Sequence, residues 1–319
     1  MDLILITGGT GQMGQKLVQK LAMAGYRIRL LCLDSDRIQG QRIQDLGQGK
    51  VEVCTGDIRS PKDLDRALIG IKVVYHLAAV IFATKNEDIF HEVNARGTEN
   101  LVQAAEKVGV EHFIYISSIS VIYSISNSYS RSKLAGENFV KGASLKAYTI
   151  VRPSLVHSEN GGEEFLRFKN YILNARIIFL PLNGKAIKRP IHVDDLISAL
   201  VQIPNNEKTF GKIYALTGDE ALSLKSMAEI ILKKSMRAGQ DEKPAMALSP
   251  SKQKNIYSLP NWLCLLAVGF FYWKMKLVGG NNLFTWQTYT GLIQDAEMKD
   301  EKVREDLDFH PRSFSEIKV

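Results

Sequence analysis

The chain has 319 residues, enough for a nucleotide-binding domain plus a second lobe, and its 45% hydrophobic and 24% charged content is ordinary for a soluble globular protein. Forty-one basic against thirty-four acidic residues leave a net charge of +7. That excess is spread along the chain, so it favours anionic ligands only weakly and builds no basic stripe with interleaved aromatics for nucleic acid. Cys32, Cys54 and Cys264 are an odd, widely spaced set; they argue against a metal site and for reduced thiols in a reducing compartment, here the cytoplasm.

In chain order, Leu3 to Ile6 reads as a short strand. It is not a signal peptide, because it runs directly into Thr7-Gly8-Gly9-Thr10-Gly11-Gln12-Met13-Gly14, which opens a helix ending near Gly25. Glycines at this spacing allow a tight turn and close approach of a pyrophosphate, stabilised by the helix N-terminus. A glycine cluster alone can be a structural turn, but here the strand and helix flanks are both in place, which points to cofactor binding through Gly8, Thr10, Gly11, Gln12, Met13 and Gly14. The next strand, Ile28 to Leu33, ends at Asp34, placed to meet the adenosine ribose hydroxyls. A carboxylate there repels a 2′-phosphate, so NAD is favoured; Arg37 nearby leaves NADP open, and a helix cap is the plainer role for Asp34. After a third strand, Val51 to Cys54, Asp57 is placed for the adenine edge or as a cap for the helix beginning near Pro61.

Strands at Val73 to Leu77, Phe113 to Ile116 and Tyr148 to Val151, with a helix from about Asn94 to Val108, continue the rhythm. Apolar strands without polar alternation belong to a sheet covered on both faces. The expected fold is therefore α/β: a Rossmann-type doubly wound parallel sheet with a smaller, mostly helical C-terminal substrate lobe. The expected division is residues 1–155 and 188–217 for the nucleotide domain, and 156–187 and 218–319 for the substrate lobe. In that lobe Glu159-Asn160-Gly161-Gly162 reads as a loop and Phe165 to Ala175 as a helix. A second helical stretch starts at Pro190-Ile191-His192-Val193-Asp194-Asp195, and the chain from Leu222 onward is mostly helical in pattern.

Tyr129 and Lys133 lie four residues apart on an expected helix, so one bound substrate meets both groups. Y-x-x-x-K recurs by chance, and its plain reading is an exposed ring and a solvated charge. Ser117-Ser118 upstream and the glycine turn give it weight as a joint constellation.

These motifs, in this order, resemble the NAD-dependent epimerase/dehydratase group of the extended or atypical short-chain dehydrogenase/reductases. The resemblance is carried by the glycine turn, Gly56-Asp57-Ile58, His76-Leu77-Ala78-Ala79, Val93-Asn94-Ala95-Arg96-Gly97-Thr98, Tyr115-Ile116-Ser117-Ser118, Tyr129 to Lys133, Arg152-Pro153-Ser154, Ile191 to Asp195, and the tail from Asp295 through Lys302, Leu307, Pro311 and Arg312. It implies Tyr129 as general acid/base, Lys133 lowering the phenol pKa and holding the nicotinamide ribose, and Ser118 bonding the reacting oxygen. Ser117 is the alternative to Ser118, and Ser120 a further polar contact. It also implies Asp57, Ile58, Leu77, Ala78, Ala79, Asn94 and Pro153 along the cofactor. For Asn94, holding backbone is an equal alternative; His192 reads as a partner of Asp194 or Asp195, and His76 carries no proton chemistry.

Two departures shape the substrate reading. The ten residues Ile119 to Ser128 between Ser118 and Tyr129 contain no acid, and the Asp-Glu pair of family dehydratases is missing, so dehydration is disfavoured. Arg152-Pro153-Ser154-Leu155-Val156-His157-Ser158 lacks the family's Tyr-Gly. Arg167, Lys169, Arg176, Lys188 and Arg189 are the basic candidates for a uridine-diphosphate pocket. The expected activity is NAD(P)-dependent hydride transfer at a secondary alcohol or ketone, with a UDP-sugar 4-epimerase and a non-catalytic NAD(P)-binding protein as alternatives.

The apolar stretch Trp262 to Trp273 is short for a bilayer span and is approached through Pro260. Its plain reading is a core or substrate-lobe helix. Terminal Trp residues with Lys252, Lys254, Lys274 and Lys276 as flanks suit a membrane surface, so surface association through 260–276 and a lipophilic substrate are carried as expectations. The resemblance also leaves a homodimer open.

Overall fold

The computed structural model describes residues 2–47, 49–82, 86–159, 161–241, 254–278 and 285–316, without the side chains of 237–241, 271, 272 and 275–278. Asn160 of the expected loop, Lys252, and the side chains of Phe271, Tyr272 and Lys276 fall outside the description.

Seven parallel strands form the central sheet: β1 (Leu3–Thr7), β2 (Arg27–Cys32), β3 (Val51–Thr55), β4 (Val73–His76), β5 (His112–Ile116), β6 (Tyr148–Pro153) and β7 (Lys212–Leu216). Their spatial order is β7-β6-β5-β4-β1-β2-β3, every neighbouring pair parallel. The order in which strands are added reverses between β1 and β4: β2 and β3 extend the sheet one way, and β4 to β7 the other. In such sheets the crevice beyond the carboxyl ends of those two strands is where ligands bind. The sequence reading placed 188–217 with the sheet but assigned no strand there; β7 is short and follows Gly211, so only its pairing with β6 distinguishes it from a loop.

The strands are apolar on both sides because both faces are covered. On one face α1 (Gln12–Met23) and α7 (Val193–Val201) bury Leu17, Val18, Leu21, Leu196, Ile197 and Leu200 against Ile4, Ile6, Ile28 and Leu30. α2 (Arg37–Leu46) adds Ile43 to that face. On the other, α3 (Pro61–Ala67), α4 (Gly97–Val108) and α5 (Ser128–Gly142) bury Leu64, Leu101, Val102 and Val140 against Leu5, Val74 and Phe113. Each fully buried side chain of this size contributes on the order of 1.5–3 kcal/mol, so the two layers fix the sheet firmly.

The helix expected from about Asn94 begins earlier. Phe90–Arg96 is a π-helical stretch that runs straight into α4. Widened turns of this kind occur frequently at functional sites. Here the stretch carries the fully buried Asn94.

A second core lies beyond the sheet. It joins Phe165 and Ile172 of α6 (Glu163–Asn174), Ile178 and Leu180, Leu224, Met227 and Ile231 of α8 (Leu224–Asp241), and Phe314. α9 (Asn261–Val278) and α10 (Trp286–Ile293) follow. α11 (Glu301–Leu307) returns to the sheet, burying Val303 and Leu307 in the first core. Cys32 and Cys264 are buried, Cys54 half-buried, and all three are free thiols.

Candidate active site

The glycine turn sits where β1 feeds α1. Gly8 has φ +71°, and a Cβ on it would lie 2.6 Å from the Ala78 backbone nitrogen; a Cβ on Gly14 would lie 2.3 Å from the Gly8 carbonyl oxygen. Neither position tolerates a side chain, so turn, helix and the end of β4 pack backbone to backbone. Gly11 is the N-cap of α1, with no side-chain cap and no acid in the first turn. A helix start left open beside closely packed backbone suits a pyrophosphate, so these residues fit the dinucleotide that the sequence motif suggests. Thr10, Gln12 and Met13 complete the turn, and the Gln15 side chain holds the Thr10 carbonyl at 2.7 Å.

Asp34 is exposed at the start of a short 3-10 turn after β2, two residues before Asp36, which accepts a hydrogen bond from Thr10 Oγ1 at 3.3 Å. Of the two carboxylates, Asp36 is the one that contacts the turn. Asp57 is occupied: it accepts from the Arg59 backbone and guanidinium at 2.6–3.1 Å, which holds its carboxyl below the usual range. It does not cap α3; Ser60 does.

His76 is fully buried between two hydroxyls. Thr98 donates to the Asn94 carbonyl at 2.6 Å, so its oxygen accepts from His76 Nε2 at 2.8 Å. That leaves Nδ1 to accept from Thr7 at 2.7 Å. Burial, with the Lys133 charge nearby, drives the His76 pKa well down. It is a fixed neutral strut beneath the cleft.

Asn94 uses its whole amide within the protein. Oδ1 accepts from the Val80 nitrogen at 2.7 Å, and Nδ2 donates to the Val80 oxygen at 2.9 Å and to Ser132 Oγ at 3.1 Å. It orders the segment after β4, where Leu77, Ala78 and Ala79 lie, and ties that segment to α5. Ile58 packs against Gly97 on the neighbouring helix, and Pro153 closes β6.

α5 begins with a reciprocal cap: Asn127 Oδ1 accepts from the Ser130 nitrogen at 2.8 Å, while Ser130 Oγ accepts from the Asn127 nitrogen at 2.9 Å. This cap fixes the first turn, which carries Tyr129. The Tyr129 ring packs edge-on to Phe90, and the Ser118 hydroxyl is near enough to its phenol to influence the phenol's ionisation. Burial pushes the phenol pKa up to about 12, with Ser118 pulling it down and Glu164 adding to the rise. Ser118 Oγ also pairs with Ser120 Oγ at 2.9 Å. Ser117 points elsewhere, donating to Glu137 at 2.7 Å.

Lys133 is 1% exposed. Its ammonium lies 4.2 Å from the centroid of the Tyr115 ring, and burial brings its pKa down to about 7 against the opposing pull of Glu137. The solvated-charge reading of Lys133 does not hold. His192 caps α7, its Nδ1 accepting from the Asp194 nitrogen at 3.2 Å.

Three positions near these groups were given no individual role from sequence, Arg152 entering only as part of its motif. Glu137 and Arg152 form a buried ion pair behind Lys133, with Arg152 donating at 2.8 and 2.6 Å. Glu164 lies at the start of α6 against α10; a Cβ on Gly291 of α10 would lie 3.2 Å from its Oε1. Glu164 keeps a solvent-accessible surface, while neighbouring protein crowds its carboxylate. Burial raises its pKa while Lys188 and Arg167 pull it down, and its charge reaches both Tyr123 and Tyr129.

Among the basic candidates, Lys169 donates to the Glu159 carbonyl and Arg189 to the Glu297 and Asp219 carbonyls. Lys188, 4% exposed, donates to the Gln294 carbonyl at 2.6 Å and to Tyr123 at 3.1 Å. Arg167 pairs with Glu163 and stacks on the Phe82 ring at 3.7 Å. Arg176 is exposed.

Residues 4–216 match the model of the NAD dependent epimerase/dehydratase family. Ceramide reductase of Caulobacter vibrioides is 36% identical over 199 residues, covering 62% of this chain and 59% of that protein. The decarboxylating sterol-4-alpha-carboxylate 3-dehydrogenase of Homo sapiens is 26% identical over 241 residues, 68% of this chain and 62% of its own length. The match thus spans about three fifths of these curated relatives. Among solved structures, UDP-glucuronic acid 4-epimerase from Bacillus cereus, in complex with UDP-glucuronic acid and NAD, superimposes with a TM-score of 0.69 at 21% identity. That superposition covers 98% of this chain and 95% of that one; at this identity the likeness is one of fold.

Proposed function

The chain belongs to the NAD-dependent epimerase/dehydratase family, and from that membership we propose an NAD(P)-dependent oxidoreductase acting at a secondary alcohol or the matching ketone of a lipophilic substrate. The observation that carries this reading is a buried Lys133 one helical turn from Tyr129 on α5, with the Ser118 hydroxyl near enough to influence the Tyr129 phenol.

The nicotinamide dinucleotide, when bound, gives or takes the hydride. The glycine turn would hold its pyrophosphate, Asp34 the adenosine ribose, and Asp57, Ile58, Leu77, Ala78, Ala79 and Pro153 would line it, with Asn94 fixing that wall. Ser118 donates to the substrate oxygen and orients it toward Tyr129. Tyr129 takes the hydroxyl proton during oxidation and returns it during reduction. A phenol at about 12 is a weak base at neutral pH; a Lys133 ammonium on the same helix face stabilises the phenolate. Lys133 can do this because, among the described residues, Glu137 is paired with Arg152 and no carboxylate is ion-paired with the Lys133 ammonium.

A lipophilic substrate is supported by two observations. The two curated relatives named above are described as a ceramide reductase and a sterol dehydrogenase. The basic side chains that a nucleotide sugar would need are mostly engaged with the protein's own carbonyls.

The test is turnover of long-chain and polycyclic secondary alcohols with NAD and NADP by the parent and by Tyr129→Phe. The variant should bind cofactor normally and lose roughly 100-fold or more in rate. Equal rates would remove Tyr129 from the chemistry and favour a non-catalytic nucleotide-binding role. Mass spectrometry of nucleotide released on denaturation separates the epimerase alternative, which retains NAD stoichiometrically, from a dehydrogenase that releases it.

A further inference from the structure

α9 turns one side inward and leaves a broad apolar arc facing out. Cys264 and Val268 pack with Tyr289 of α10, against Leu259 and Ile293. Around the other side Trp262, Leu266 and Trp273 are each 62% exposed and Leu265 44%. At ~100° per residue these positions share an arc of about 100° that contains neither of the inward residues. An exposed apolar patch of this kind marks an interaction site.

The chemistry of the arc selects its occupant. No Asp or Glu occurs from Asn261 to Val278. Along the helix axis a Trp stands at each end of this exposed run, and the exposed Lys274 follows the second. Indole rings settle at the headgroup level of a bilayer, and lysine stems reach along apolar surface to anionic headgroups. The chain's net charge of +7 has the complementary sign. Among the described residues no helix is long and apolar enough to cross a membrane, so the geometry suits a helix lying in the interface plane.

We propose that α9 docks the protein on the surface of an anionic lipid bilayer, with Trp262, Leu266 and Trp273 inserted at the headgroup boundary.

α10 lies between this helix and the cleft. The Tyr289 hydroxyl bonds the Asn261 side chain, which fixes α9 to α10. On its other side α10 reaches the catalytic lobe: Asn127 Nδ2 donates to Thr290 Oγ1 at 2.9 Å, Gln287 donates to the Ile81 carbonyl at 2.7 Å, and Gly291 abuts Glu164. A docked α9 therefore places the cleft wall one helix away from the lipid surface. Docking stands apart from the oxidoreductase reading; only its use in delivering a lipophilic substrate rests on that reading.

The test floats the full chain with vesicles of phosphatidylcholine alone or mixed with phosphatidylglycerol. The chain's three Trp residues all lie on α9 or α10, so intrinsic emission reports on the surface directly. The parent should float with the mixed vesicles, shift its emission to the blue, and be quenched by brominated acyl chains. A Trp262→Ser/Leu266→Ser variant, changed only at exposed positions, should lose vesicle affinity by about tenfold or more with NAD titration unchanged. A parent that stays unfloated and unquenched overturns the proposal. So does a variant that floats like the parent, or a parent dimer that the variant turns into a monomer while neither floats, which would assign the arc to a second copy. NAD titration of the same samples judges the oxidoreductase reading independently: loss of NAD binding by the parent would sink that reading and leave the docking result standing.

Discussion

Lys133 and Glu137 stand one turn apart on α5, both buried, yet the carboxylate is gripped by Arg152 at 2.6 Å rather than by the lysine. Ser117 supplies a further hydrogen bond to it at 2.7 Å. Two strand ends, those of β5 and β6, thus hold Glu137, and Lys133 is left facing the Tyr115 ring. Its pKa near 7 follows from burial, with Glu137 able to restore only part of the charge's stability.

Arg152→Met should strand Glu137 as a buried unpaired carboxylate. Removing one partner of such a pair costs on the order of 3–5 kcal/mol. Urea unfolding of the variant measures it; a loss under about 1 kcal/mol would mean that Ser117 and Lys133 suffice to hold the carboxylate.

Acid should destabilise the fold through its buried histidines. Burial lowers His112 to about 4 and, together with the charges of His192 and Arg312, lowers His157 to about 3; His76 is lowered well below its ordinary value. Between the unfolded value near 6.5 and each folded value, the unfolded chain binds more protons, so stability is lost as pH falls through that window. His112 is the cleanest case: Nε2 bonds Thr149 at 2.8 Å while Nδ1 has no partner among the described residues. Its share is on the order of 3 kcal/mol between pH 6.5 and 4. His112→Leu should flatten the acid limb of a stability–pH curve by an amount of that order. An unchanged limb would place the loss at other groups.

Cofactor choice should turn on Asp34. Its exposed carboxylate lies beside a second one at Asp36, and both oppose a 2′-phosphate. Asp34→Ser should raise affinity for NADP relative to NAD by about tenfold, or ~1.4 kcal/mol. Titration with the two nucleotides decides it; an unaltered ratio would leave Asp34 as a surface turn residue.

Glu164→Gln should shift the pH–rate profile. The Glu164 charge contributes to the raised pKa of Tyr129, so removing it should let the phenol ionise at lower pH. For alcohol oxidation, which needs the phenolate, the rising limb of kcat should move toward neutrality, with cofactor affinity unchanged. A profile that stays in place would show that the carboxylate does not reach the reacting oxygen.

The residues alone determined what short-range physics controls. Apolar runs such as Leu3–Thr7 and His112–Ile116 must pair and be covered on both faces. The Gly8 to Gly14 turn can form only where no Cβ intrudes, and Tyr129 and Lys133 share a face because a helix repeats every 3.6 residues. The motif order extended this to the family. Tertiary structure decided whatever depends on partners far along the chain. The grip of Arg152 on Glu137 requires two neighbouring elements of the sheet domain, and β7 is a strand only because β6 lies beside it. Glu164 comes near Tyr129 only through the packing of the second lobe on the first. The apolar run at 262–273 could be core or surface by composition, because hydrophobicity records what a segment would gain by burial and not which side is already covered. Only the packing of Cys264 and Val268 on α10, with Trp262 and Leu266 left outside, separates the two.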